Sequence, residues 1–193
     1  MIGKKSIIKQ SLGEHLALLN KINSSDLTSI IMIANVIVEA LSSRNTIFWC
    51  GNGGSASDGQ HLAAELVGRF KSNRRPLSSV ALNTDTSVLT CIANDFSYND
   101  IFSRQIDALG KKGDVLIGLS TSGNSPNIIK AFKHARQAEI KVVGLLGKGG
   151  GEAVAQTDLN YIVESDSTAR IQEVHIMIGH ILCELIEDGL GLA

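Results

Sequence analysis

From Asn45 onward the chain repeats one pattern: a short apolar run, a loop rich in glycine or serine, then a stretch with helical periodicity. The apolar runs are Thr46 to Cys50, Val80 to Leu82, Val115 to Leu119, Val142 to Leu146 and Tyr161 to Val163. Runs this short and uniformly apolar suit parallel strands covered by helices on both faces. The segments between and after them, Ala56 to Phe70, Ser87 to Ala93, Ile101 to Leu109, Ser125 to Ala138 and Thr168 to Glu187, read as helices. Strand alternating with helix predicts an α/β fold, a doubly wound sandwich around a parallel five-stranded sheet. Ligands of such sheets bind beyond the carboxyl ends of the strands, where these loops lie.

The first forty-odd residues differ in texture. Leu12, Leu16, Leu19 and Ile22 recur at three or four, and Asp26 is placed to cap a second helix. That helix carries Leu27, Ile30, Ile31, Ala34, Ile37, Val38 and Leu41, with Ile33 and Val36 widening its apolar surface. A helix apolar nearly all round is buried on several sides, in a bundle or a subunit interface. No linker or internal repeat divides the chain, so residues 1–193 read as one domain: helices over 1–44 and the sandwich over 45–193.

Composition excludes several classes of function. A net charge of -1 removes the electrostatic basis of nucleic-acid binding, and the one basic run, Lys71 to Arg75, reads as a solvated turn. The most apolar stretch, Ile30 to Leu41, contains Asn35 and Glu39 and falls short of the roughly 30 Å of a bilayer. Cys50, Cys91 and Cys183 form no CxxC pair, which argues against a disulfide framework or a thiolate zinc site and for a reducing cytoplasm.

Two loops stand out as candidate anion sites, the first of which equally suits a plain tight turn. Gly51-Asn52-Gly53-Gly54-Ser55 follows the first strand; its glycines let backbone N–H groups approach a ligand at the positive end of the next helix. It is neither the dinucleotide GxGxxG nor the lysine-bearing P-loop. Ser120-Thr121-Ser122-Gly123-Asn124-Ser125 follows the third strand and offers four hydroxyls and an amide before a helix that starts at Pro126. Capping by Ser125 accounts for one of those hydroxyls, and a phosphate cradle accounts for all of them. A third glycine cluster, Gly147 to Gly151 around Lys148, reads as a mobile surface loop.

On the helix after the first loop, His61 and Glu65 share a face at i and i+4, a spacing suited to one divalent metal or to proton transfer. The last helix offers Arg170, Gln172, Glu173, His175 and His180. On an ideal helix Gln172 and His180 lie about 12 Å apart along the axis and about 80° apart around it. One ion therefore reaches both only if the helix start is distorted or if different subunits complete each site. His180, flanked by apolar residues, also suits a buried structural role.

Taken in order, Gly51-Asn-Gly-Gly-Ser55, His61-Leu-Ala-Ala-Glu65-Leu, Ala93-Asn94-Asp95, Ser120-Thr-Ser-Gly-Asn-Ser125 and Arg170-Ile-Gln172-Glu-Val-His175, with His180, resemble the phosphoheptose isomerases. These are sugar-isomerase (SIS) domain enzymes that interconvert sedoheptulose 7-phosphate and D-glycero-D-manno-heptose 7-phosphate. The resemblance implies a flavodoxin-like SIS fold and substrate contacts at Asn52, Gly53, Gly54, Glu65, Asn94, Asp95, Ser120, Thr121, Ser122, Ser125 and Gln172. It implies one zinc per active site on His61, Glu65, Gln172 and His180, with Glu65 and His180 as the acid–base pair. It further implies a homotetramer with active sites at subunit interfaces, the 1–44 helices serving oligomer packing. A second branch of the fold, a non-catalytic tetramer that binds a replication initiator protein, would keep the glycine loop but not the acid–base residues. This chain keeps Glu65 and Ser122, which favours the enzyme.

Overall fold

A computed structural model describes residues 3–193. Strands β1 (Ile47–Gly51), β2 (Ser79–Ala81), β3 (Val115–Ser120), β4 (Lys141–Gly147) and β5 (Leu159–Val163) pair in parallel, in the order β2-β1-β3-β4-β5. The helices are α1 (Lys4–Asn23), α2 (Thr28–Ser42), α3 (Gly54–Val67), α4 (Thr86–Asp95), α5 (Ser103–Leu109), α6 (Pro126–Gln137) and α7 (Thr168–Gly189). All five strands and both N-terminal helices lie where the sequence pattern predicts them.

Alternation along each strand splits the core into two layers. Ile47, Trp49, Val115, Ile117, Leu119, Val143 and Leu145 pack with Ile33, Ile37 and Leu41 of α2, Leu62 and Leu66 of α3, and Ile178 and Leu182 of α7. Phe48, Cys50, Leu116, Val142 and Leu146 pack with Ile92 of α4, Ile106 of α5, and Ile128 and Phe132 of α6. The one indole is satisfied inside, Trp49 Nε1 donating to Ser79 Oγ at 2.8 Å. Asp26 does not occupy the cap position of α2: the N-cap is Leu27, without a side-chain cap, and Asp26, one residue earlier, accepts on Oδ1 from the N–H and Oγ1 of Thr28 at 2.9 and 2.6 Å.

Two expectations fail in an instructive way. The basic run is solvated only in part: Lys71 and Arg75 are exposed, but the Arg74 side chain is 1% exposed and pairs at 3.0 Å with Glu187, itself 3% exposed. Arg74 also donates to the carbonyls of Glu65 and Leu66, each at 2.8 Å. Those are carbonyls of the last turn of α3, which have no partner inside the helix. This guanidinium and Gly68 end α3 at Val67 rather than at Phe70. Arg69 lies beyond that end, so its i+4 spacing from Glu65 produces no ion pair among the described residues.

The third glycine cluster is docked rather than free. The Ala153 N–H donates to Gly123 O at 2.8 Å, and the Glu152 N–H to Asn124 Oδ1 at 2.9 Å. A Cβ on Gly123, whose φ is +64°, would lie 2.0 Å from the carbonyl oxygen of Gly150. The cluster therefore clamps the Ser120–Ser125 loop from behind.

Candidate active site

In an open sheet of order 2-1-3-4-5 the crevice opens between β1 and β3, where the winding direction reverses. The glycine loop and the hydroxyl loop leave the sheet there, one from each strand. They are tied across the crevice by a pair of amides: Asn52 Nδ2 donates to Asn127 Oδ1 at 3.0 Å and Asn127 Nδ2 to Asn52 Oδ1 at 2.8 Å. Tyr98 Oη donates to Asn52 Oδ1 at 3.0 Å. Gly53 and Gly54, at the start of α3, are exposed, with Gly53 at φ +55°.

In the second loop the hydroxyls face one another. Ser120 Oγ and Ser125 Oγ lie 3.1 Å apart, and Ser125 makes no side-chain cap on α6. The Gly123 N–H donates to Ser120 Oγ, and the Asn124 N–H to Ser122 Oγ, each at 3.1 Å. Thr121 and Ser122 are half-buried and take no part in capping α6. The loop thus gathers hydroxyls at a helix N-terminus, which favours a phosphate.

A second cluster lies further along the helix that the first loop opens, between α3 and α7. His61 Nε2 is 3.0 Å from His180 Nε2 and 3.2 Å from Glu65 Oε1, and one donor atom from each residue lies within 4.8 Å of the others. The close approach has a specific cause. A Cβ on Gly179 would lie 2.4 Å from Leu62 Cδ1, so only glycine lets α7 settle onto α3 at the residues beside both histidines. Phe70 stacks on the His180 ring at 5.5 Å and 19°, fixing its plane. His180 is half-exposed and engaged with His61, not a buried structural histidine.

These separations suit a metal ion. Bonds of about 2.0–2.1 Å in a tetrahedral site put the ligand atoms roughly 3.3 Å apart. Two imidazole Nε2 atoms at 3.0 Å share one proton at most, or both direct lone pairs at a cation. The cysteines do not compete: Cys50 and Cys183 are buried, and burial, aided by the charges of Glu65 and Glu187, pushes the Cys183 thiol up to about 12.

Gln172 is not part of this cluster within one chain. Its amide lies over Gly54, where a Cβ would come within 2.6 Å of Nε2. Gly54 is seven residues before His61, about 10 Å along α3. α7 runs unbroken from Thr168 to Gly189, which excludes a distorted start. Asn94 and Asp95 lie exposed at the end of α4, hydrogen bonded to each other at 2.8 Å. Asp85 caps α4 through the Val88 N–H, and Arg170 pairs with Glu173 and donates to Ser11 O, so both support the fold. His175 is fully buried with Nε2 at 3.0 Å from Leu146 O; burial lowers its pKa to about 4, partly offset by that bond, so it donates as a neutral ring.

One turn before His61, burial pushes the Asp58 carboxyl up, while His61 pulls it down. Sequence reading missed Asn127, Tyr98 and Phe70. Asn127 sits two positions past the hydroxyl motif, and the other two carry no local signal at all.

The SIS domain profile matches residues 12–147. Over 181 residues the chain is 49% identical to a phosphoheptose isomerase from a Nitratiruptor species, covering 94% of this chain and 97% of the relative. Over 153 residues it is 54% identical to the phosphoheptose isomerase of Helicobacter pylori, covering 79% and 80%. A solved phosphoheptose isomerase from Neisseria gonorrhoeae superposes with a TM-score of 0.92 at 38% identity, covering 96% of this chain and all of that one. The parallel sheet, the paired loops at its switch point and these likenesses converge, and the chain belongs to the phosphoheptose isomerases of the SIS-domain family.

Proposed function

We propose that the protein interconverts D-sedoheptulose 7-phosphate and D-glycero-D-manno-heptose 7-phosphate through an enediol, the first step toward nucleotide-activated heptose. The observation that carries this reading is the convergence of His61 Nε2, Glu65 Oε1 and His180 Nε2 within 4.8 Å, on a fold whose switch point holds two anion-binding loops. Moving a proton between adjacent carbons needs a base at the C–H and a donor at the oxygen. Glu65 is the base. Its Oε1 faces His61 at 3.2 Å, and its second oxygen is left to take the proton. His180 would return a proton to the sugar oxygen from the ring nitrogen that the metal leaves free, its ring plane held by Phe70.

His61, Glu65 and His180 would hold one zinc ion, and Gln172 would complete a site from another subunit. When bound, zinc supplies Lewis acidity toward the carbonyl and hydroxyl oxygens of the sugar. Ser120, Thr121, Ser122 and Ser125 hold the phosphate, with Asn52, Gly53, Gly54, Asn94 and Asp95 around the rest of the substrate.

We infer a homotetramer with shared active sites, residues 1–44 packing between subunits. Ile7, Ile8, Leu12 and Leu16 of α1 and Ile31 and Met32 of α2 are 47–59% exposed in one chain, more apolar surface than one short stretch of a monomer usually shows. No single described helix is long and apolar enough to cross a membrane. A cytoplasmic location follows from the substrate, a dianion that does not cross a bilayer unaided. The test is purified protein with sedoheptulose 7-phosphate in deuterium oxide, followed by NMR. Aldose heptose 7-phosphate with deuterium at C2 supports the reading, and an unchanged ketose contradicts it.

A further inference from the structure

Three non-glycine residues among those described have positive φ: Arg44, Glu139 and Lys148. Arg44 and Glu139 each follow the C-cap residue of a helix, Ser43 of α2 and Ala138 of α6. Terminating residues commonly turn left-handed there. Lys148, at φ +50°, has no such reason, because it follows a strand. It begins a run of four left-handed residues, Lys148, Gly149 (+75°), Gly150 (+86°) and Gly151 (+52°), and is the only one with a Cβ. Glycine would serve the backbone better at this position. Strain kept at one non-glycine residue points to use of its side chain.

The position suggests the use. Gly147 lies against the Thr121 backbone, where a Cβ would come within 2.7 Å of Thr121 O, and Gly150 lies against Gly123. Lys148 lies in the short span between these anchors, alongside the Ser120–Ser125 loop. In the sheet Ser120 pairs with Leu146, so Lys148 follows, by two residues, the point where the hydroxyl loop leaves β3. The lysine is exposed, and among the described residues it makes neither an ion pair nor a hydrogen bond. The hydroxyl loop itself, Ser120 to Ser125, contains no cation, although the phosphate monoester it would hold is a dianion.

We propose that Lys148 is a substrate-binding residue, an ammonium placed by the strained glycine turn to neutralise the phosphate held by Ser120, Thr121, Ser122 and Ser125. The proposal rests on reading that loop as the phosphate cradle. A flexible lysine provides a point charge that closes on the anion after it enters, whereas the hydroxyls fix its orientation.

The test compares wild type, Lys148→Gly and Lys148→Arg in two readouts: isomerisation of sedoheptulose 7-phosphate, and the rise in melting temperature on adding inorganic phosphate. Glycine relieves the backbone, so Lys148→Gly folds at least as stably as wild type, and a loss of affinity cannot be ascribed to misfolding. The expected result is a rise of about tenfold in KM and in the phosphate dissociation constant for Lys148→Gly. In that variant kcat changes by less than about threefold, since the interaction is equal in ground and transition states. Arginine restores most of the affinity. Wild-type affinity in Lys148→Gly, or a phosphate response absent from wild type, overturns the proposal. If wild type stabilises with phosphate through Lys148 yet leaves the heptulose unchanged, the anion site stands and the isomerase reading falls.

Discussion

Helix α7 carries two charged clusters about two turns apart, one shared with α3 and one with the segment that follows α3, and the two are built on opposite principles. At the far end, Glu187 is buried and accepts from the N–H groups of Phe70, Lys71 and Ser72 and from Arg74 Nε, at 3.0–3.2 Å. Arg74 spends its remaining donors on backbone carbonyls. Nothing there is left to bind a ligand. Nearer the middle, His61, Glu65 and His180 face one another with the His61 side chain 51% exposed and Glu65 23% exposed. Their lone pairs converge and are not used by the fold. A charge network saturated by backbone groups holds structure, while a convergent, unsaturated one near solvent is available for chemistry.

Substitution at the two clusters should separate activity from stability. Glu65→Gln keeps the shape of the site and removes the base, so turnover of sedoheptulose 7-phosphate should fall by about 10²–10⁴-fold with the melting temperature nearly unchanged. Wild-type turnover in a folded, metal-loaded Glu65→Gln protein would remove Glu65 from the base role. Arg74→Ala should do the reverse. Leaving Glu187 buried without its partner costs about 3–5 kcal/mol, read by urea denaturation, while any folded fraction retains its kcat. A loss below about 1 kcal/mol would mean that the three N–H groups suffice for Glu187 alone.

Acid should act on the structural side as well. Burial pushes the Glu187 carboxyl up, but the N–H groups of Ser72, Phe70 and Lys71 and the Arg74 guanidinium outweigh it and hold the group below the usual range. Its contribution is therefore complete above the unfolded carboxylate pKa of about 4.3 and is lost as pH falls through the lower folded value. His175 acts higher on the scale. Its folded pKa is about 4 against about 6.5 unfolded, so the fold loses stability progressively as pH falls from about 6.5 toward 4. His175→Gln should flatten the wild-type decline across that window in denaturation curves; an unchanged slope would assign the decline to other groups. The smallest effect is expected at the contact between the helices. Gly179→Ala pushes a methyl against Leu62, at a cost typically of about 1–3 kcal/mol, and separates His61 from His180. Reduced affinity for a divalent metal should accompany it, measured by competition with a chromogenic chelator.

Much of this was legible in the sequence because the relevant physics is local. Parallel strands buried on both faces read as continuous apolar runs, so all five were found, and the i, i+4 spacing of His61 and Glu65 needs only a helix. What stayed hidden depends on contacts between distant segments. His180 joins His61 across 119 residues because Gly179 admits Leu62, and nothing near either histidine announces that approach. Arg74 looked like part of a solvated run because its partner, Glu187, lies 113 residues away. The glycines at 147–151 looked mobile because flexibility in isolation and rigidity against Gly123 have the same composition. The exposed apolar side chains of α1 show the same limit: their periodicity predicted the helix but not that Leu12 and Leu16 would remain 58–59% exposed in one chain.

The most direct test of the central claim is turnover of sedoheptulose 7-phosphate by protein stripped with a chelator, before and after zinc is restored. If His61, Glu65 and His180 form a metal-assisted acid–base site, stripped wild-type protein loses activity and zinc recovers it, whereas zinc recovers nothing in His61→Ala. Full turnover by demonstrably metal-free wild-type protein would contradict the metal site and leave the cluster only proton transfer and positioning.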